Sequence, residues 1–174
     1  MTVWQVLADA DGAQRGQLTG PSYREPCALG KGGMVAEADG REGDEKTPMG
    51  TYAFRRVFYR PDRGEIPLTT LPVREISPAL GWCDNSESVF YNKLVQLPFD
   101  ESHERLWRSD NLYDLLLVIG HNDAPVVPGL GSCVFVHVAH EGFMPTLGCV
   151  ALEVHALRRL IRQIAPGDQL KIGN

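Results

Sequence analysis

With 174 residues, 43% of them hydrophobic, the chain is the size of one domain and needs no disulfides to build its core. A net charge of −5 and the lack of any basic run argue against nucleic acid or an anionic membrane surface as partner. No segment reaches the roughly 18–20 apolar residues of a membrane span, and the N-terminus lacks the basic start and apolar core of a signal peptide.

The 12 prolines and 18 glycines are scattered and cut the chain into short segments without repeats or linker-like blocks. A single domain over residues 1–174 is therefore expected. Residues 4–8 are read as a first strand, 34–36 as a weaker one, and 50–59 as a better one on their β-branched and aromatic content. Residues 61–110 are irregular, rich in Pro, Ser, Asp and aromatics, and a stretch of that kind is usually functional. Two apolar strands follow at 112–120 and 132–139, separated by a Pro/Gly loop; their near-continuous hydrophobicity suggests the centre of a sheet covered on both faces. Leu152, Ala156, Leu157, Leu160, Ile161 and Ile164 form the apolar stripe of one late helix, with Arg158, Arg159 and Arg162 opposite. Pro166-Gly167 stops it and residues 169–172 make a closing strand. The pattern predicts a mainly-β sandwich or barrel with one helix packed on it.

Chemistry concentrates near the C-terminal end. Alternation along residues 132–138 puts Cys133, Phe135 and His137 on one face. Twelve residues after His137 comes Cys149, set behind Gly148 in the run Pro-Thr-Leu-Gly-Cys-Val-Ala-Leu. An isolated cysteine is usually a small buried hydrophobe, and a lone strand histidine usually a core residue. Together they read as a thiol nucleophile and its general base. The backbone N–H groups of Gly148 and Cys149 are the candidate oxyanion donors. No Asp or Asn nearby is an obvious orienter for the imidazole, which leaves that work to a backbone carbonyl.

Among the remaining cysteines, Cys27–Cys83 is the candidate bridge, with three reduced thiols as the alternative. His121, Asp123, His137, His140 and Cys149 offer zinc ligand types. His137 and His140, three apart on a strand, point to opposite faces, so neither a metal site nor a cofactor is expected. His121 and Asn122, at the end of the preceding strand, are expected to face the cleft of His137. Arg60, Trp82 and Tyr91, with Arg63, Asp84 and Asn92, are expected to form a lid or cleft wall, arginine suiting substrate carboxylates.

Three separated stretches together resemble the L,D-transpeptidase catalytic domain of the YkuD type. These are the strand histidine followed by Thr146-Leu147-Gly148-Cys149, the upstream Thr47-Pro48-Met49-Gly50-Thr51-Tyr52, and shorter matches at 27–33, 81–84, 91–92 and 120–123. The likeness spans roughly residues 25–172. Two departures stand out: Leu147 replaces the second histidine usual before the Gly-Cys, and the His-to-Cys spacing is short. The resemblance implies a YkuD-like β-sandwich or barrel with a helix after the cysteine. It also implies a bacterial enzyme that acylates Cys149 with a peptidoglycan stem peptide and passes the acyl group to an amine, giving 3–3 or 1–3 cross-links. Thr146, His121, Asn122, Tyr91, Trp82 and Arg60 are the substrate contacts expected. The implied partners are donor and acceptor stem peptides, and the implied location is the cell envelope, with cytoplasmic action on precursors as the alternative. A stem-peptide hydrolase using the same residues, and a non-catalytic peptidoglycan-binding module, are the rival readings.

Overall fold

A computed structural model describes residues 1–10 and 13–174. In chain order the strands are β1 (Val3–Ala8), β2 (Arg15–Gly20), β3 (Tyr23–Ala28), β4 (Met34–Ala36), β5 (Thr47–Tyr59) and β6 (Val73–Glu75). Then come β7 (Leu80–Cys83), β8 (Leu94–Gln96), β9 (His103–Arg105), β10 (Leu115–Ile119), β11 (Phe135–Val138) and β12 (Val150–Leu152). The helix α1 (Val154–Gln163) and β13 (Gln169–Ile172) complete the chain.

The large sheet runs β10-β11-β12-β3-β2-β1-β13-β5 and then closes on itself, because β5 also pairs with β10. Closure rests on the length of β5, whose residues 50–53 pair with β13 and whose residues 54–59 pair with β10. The result is a barrel, which leaves no open edge along that ring. A second sheet, β8-β7-β9, stands apart.

The barrel wall is buried on both sides where the two layers overlap. Leu115, Leu117 and Ile119 of β10 and Val136 and Val138 of β11 point inward to the main core, with Trp4, Leu18 and the apolar face of α1. Their alternates Leu116, Val118 and Phe135 point outward into a second cluster, where Ile76, Leu80 and Leu106 of the smaller layer cover them. This double cover explains the near-continuous apolar strands. Cys149 belongs to the outward cluster.

Helix α1 starts where the Glu153 side chain accepts hydrogen bonds from the N–H groups of His155 and Ala156, at 2.8 and 3.2 Å. It ends before Pro166, since the residue preceding a proline is pushed out of the helical region. Leu157, Leu160 and Ile161 are fully buried beneath it.

The fold differs from the sequence reading in three places. The hairpin β2–β3 was not expected, because its polar strands RGQLTG and YREPCA turn only Leu18, Tyr23, Cys27 and Ala28 into the core. The middle section is not irregular throughout: it holds β6 to β9, each only three or four residues long, too short to show periodicity. The cysteine does not lead straight into the helix, since β12 intervenes and pairs parallel with β11. Of the two readings of the cysteines, the reduced one holds: Cys27 lies in barrel strand β3, Cys83 in β7 of the other sheet, and all four thiols are free.

Candidate active site

The turn carrying Cys149 is fixed from both sides. The Thr146 N–H donates to the Leu29 carbonyl at 2.8 Å, and the Thr146 carbonyl accepts from the Lys31 N–H at 2.9 Å. The Thr146 hydroxyl donates to the Cys149 carbonyl at 2.6 Å and accepts from the Gly148 N–H at 3.1 Å. Gly148 has φ of +137°, and a Cβ there would lie 2.9 Å from the Lys46 carbonyl oxygen, so both backbone and space require glycine. The Gly148 N–H is thus already partnered, and of the expected oxyanion donors it is the Cys149 N–H that engages no side chain among the described residues.

The Cys149 thiol donates to the Cys133 carbonyl at 3.1 Å, and its sulfur accepts from the Phe135 N–H at 3.3 Å. Burial pushes its pKa up to about 12, partly opposed by the Phe135 N–H. Cys133 itself leaves the expected strand: its φ is +56°, and β11 begins two residues later.

His137 sits on β11 opposite Ala151 of β12, on the same outward face as Phe135. Its Nδ1 lies 2.8 Å from the Val138 carbonyl oxygen. A carbonyl only accepts, so Nδ1 carries the proton and Nε2 is the free base. Burial pushes the ring's pKa down to about 4, with the Val138 carbonyl opposing. The Tyr113 ring meets it edge-on, centroids 5.5 Å apart. In the resting site, then, thiol and imidazole are both neutral.

Both groups line a cleft of about 510 Å³ walled by the nucleophile turn on one side and by the smaller sheet on the other. Thr146 and Leu147 line it, Leu147 being exposed at its rim. Glu104, Arg108 and Tyr113 also line it, and nothing in the sequence singled them out. They form a chain of contacts: the Tyr113 hydroxyl donates to Glu104 Oε1 at 2.5 Å, and the Arg108 guanidinium lies 5.2 Å from the Tyr113 ring centroid.

Five of the expected substrate contacts do not line this cleft. His121 is 3% exposed, edge-on to Tyr52, with Nδ1 3.4 Å from Glu37 Oε1 and neither ring nitrogen hydrogen-bonded. Asn122 clamps its own loop, donating to the carbonyls of Val127 and Gly131 at 3.0 and 2.9 Å. The Tyr91 hydroxyl accepts from the Gly131 N–H at 3.0 Å and donates to Glu42. Trp82 donates to Asn92 Oδ1 at 3.0 Å, and its ring packs on Phe135. Arg60 is buried, its guanidinium 3.6 Å from the Trp107 ring centroid and bidentate to Asp62. Apart from His121, which is packed away with its ring nitrogens unpaired, these side chains are consumed by the scaffold because a buried polar group has to be satisfied.

Asn92 is the hub of that scaffold. Its Oδ1 accepts from Trp82 Nε1 and from the Cys133 N–H, and its Nδ2 donates to the carbonyls of His121 and Asn122. It therefore ties the smaller sheet to the loop whose Cys133 carbonyl holds the thiol.

Among the described residues, no three His, Cys, Asp or Glu side chains are grouped to hold a metal ion. Among the described residues, no helix is long and apolar enough to cross a membrane. The family model YkuD, L,D-transpeptidase catalytic domain, matches residues 11–172 of the chain. No curated protein and no solved structure matches it.

Proposed function

The chain belongs to the YkuD family of L,D-transpeptidase catalytic domains, and on that footing we propose that it cross-links peptidoglycan stem peptides through an acyl-enzyme on Cys149. One observation carries the reading. Cys149, in the turn leading into β12, and His137, on its parallel neighbour β11, face one cleft, with the His137 proton fixed on Nδ1.

The chemistry follows from that geometry. His137 Nε2 takes the thiol proton, and Cys149 Sγ attacks the carbonyl of a stem-peptide amide. The Cys149 N–H stabilises the tetrahedral oxyanion; the Gly148 N–H joins it once released from Thr146 Oγ1. Loss of such a donor costs roughly 10²- to 10³-fold in rate. His137 returns the proton to the departing amine, leaving a thioester. A side-chain amine of a neighbouring stem then attacks, forming a 3–3 or 1–3 link and freeing the thiol. Thr146 in this scheme shapes the nucleophile's turn rather than gripping substrate. His121, Asn122, Tyr91, Trp82 and Arg60 act at a distance, through the scaffold. Because the polymer lies outside the cytoplasmic membrane, the cell envelope is the place of action.

The test is mass spectrometry of reactions with defined disaccharide-peptides, wild type against Cys149→Ala. Cross-linked dimers that vanish in the variant support the reading, and fragmentation names the bond. Trimmed monomers without dimers mean a hydrolase with the same nucleophile. No turnover by the wild type, with no acyl-Cys149 in intact-protein mass spectra, overturns the catalytic reading.

A further inference from the structure

We propose that Glu104 seats the ammonium group of the acyl acceptor and takes the proton that this group must lose. The proposal rests on the acyl-transfer reading and concerns its second half. An acceptor amine arrives as an ammonium ion. When its nitrogen bonds to the thioester carbon and the C–S bond breaks, nitrogen sheds two protons. One returns to the Cys149 sulfur; the other has to leave.

His137 serves only the first. Its Nδ1–H is committed to the Val138 carbonyl, so it has one basic nitrogen, and burial holds its pKa down to about 4. Such a base is poorly matched to an ammonium ion, and during the attack it is occupied with the sulfur's proton.

Glu104 stands where the second proton needs an acceptor. It projects from β9 of the smaller sheet, its side chain is 28% exposed, and it lines the cleft with Cys149 and His137. Its Oε1 meets the Tyr113 hydroxyl at 2.5 Å and Arg108 Nη1 at 3.6 Å, and the carboxyl also meets the Cys133 thiol. Among the described residues Oε2 has no charged partner. Arg108 offsets its charge only in part, because that guanidinium is bound bidentately to Asp110 at 2.8 and 2.7 Å.

The rest of the cleft has the same sign. Among the described residues, Glu42, Glu45 and Asp84 line it, Arg108 is the one Lys or Arg that does, and Asp84 Oδ1 is buried without a hydrogen-bond partner. A cation is the ligand this lining attracts. Burial raises the Glu104 pKa, which makes its carboxylate a better proton acceptor than an ordinary glutamate.

Glu104→Gln tests this, because the amide oxygen still accepts from Tyr113 while charge and basicity are lost. With disaccharide-peptides as donor and acceptor, acyl-Cys149 should accumulate in intact-protein mass spectra. The ratio of cross-linked dimers to trimmed monomers should fall by roughly 10²-fold. Hydroxylamine, an amine already uncharged at neutral pH, should discharge the acyl-enzyme equally well in variant and wild type. An unchanged dimer ratio overturns the proposal, as does a parallel loss of hydroxylamine discharge, which would mean that Glu104 merely holds the cleft together. A wild type that forms acyl-Cys149 but never dimers also overturns it while leaving the nucleophile standing. A wild type that forms no acyl-Cys149 removes the acyl-transfer reading itself.

Discussion

Desolvation sets the resting state of Cys149 and His137: it drives the thiol up to about 12 and the imidazole down to about 4. Alkylation reports the thiolate alone, so Cys149 labelling by iodoacetamide should stay slow at pH 7 and climb only above pH 9. A plateau of fast labelling from acid to neutral pH would mean a standing thiolate–imidazolium pair. The same burial makes stability depend on pH. Since the folded ring's pKa of about 4 lies below its ordinary 6.5, the unfolded chain binds the proton first as pH falls. The His137 contribution to stability should be flat above pH 6.5 and drop between 6.5 and 4 by on the order of 3 kcal/mol. Denaturant titrations of wild type and His137→Gln check this, the variant losing that part of the slope. At Gly148, with φ +137° and no room for a Cβ, alanine should displace the turn and abolish acylation of Cys149.

Helix α1 is bound to the barrel by one stripe, and Leu160 in it is fully buried in the main core. Leu160→Ala should cost about 2–5 kcal/mol, measured by denaturant melts, while Cys149 labelling changes little because the helix faces the other cluster. In the proposed mechanism, β11 is the element that matters most. Its alternation sends Val136 and Val138 into the barrel and Phe135 and His137 outward, so a one-residue slip would bury the base in the core. Pairing with both β10 and β12 holds that register.

At the scale of the whole molecule, the cleft exists because a small sheet is laid over part of a closed barrel. Leu106, fully buried, joins that layer to Phe58, Leu116 and Phe135 in the cluster that contains Cys149. Leu106→Ala should therefore leave a cavity beside the nucleophile and speed Cys149 labelling well before global unfolding, in contrast to Leu160→Ala. Equal labelling in the two variants would mean that the outer layer does not shield the thiol. Asn92 makes the same link through hydrogen bonds, holding Trp82 of the smaller sheet and the Cys133 backbone at once.

The sequence alone determined what local pattern can carry. Apolar runs at 112–120 and 132–139 announced strands covered on both faces, the 3.6-residue stripe announced α1, and the Gly148-Cys149 pair behind a strand histidine marked where the proposed thiol chemistry would lie. Each signal lies within a few residues and answers to short-range geometry. The tertiary structure decided the rest. Ring closure depends on β5 pairing with both β13 and β10, contacts far apart in the chain. Whether a polar side chain serves substrate or scaffold depends on what surrounds it once buried. Arg60, Trp82, Tyr91, His121 and Asn122 were absorbed by neighbours no spacing rule brings together, while Glu104, Arg108 and Tyr113 reached the cleft because the smaller sheet packs against the barrel.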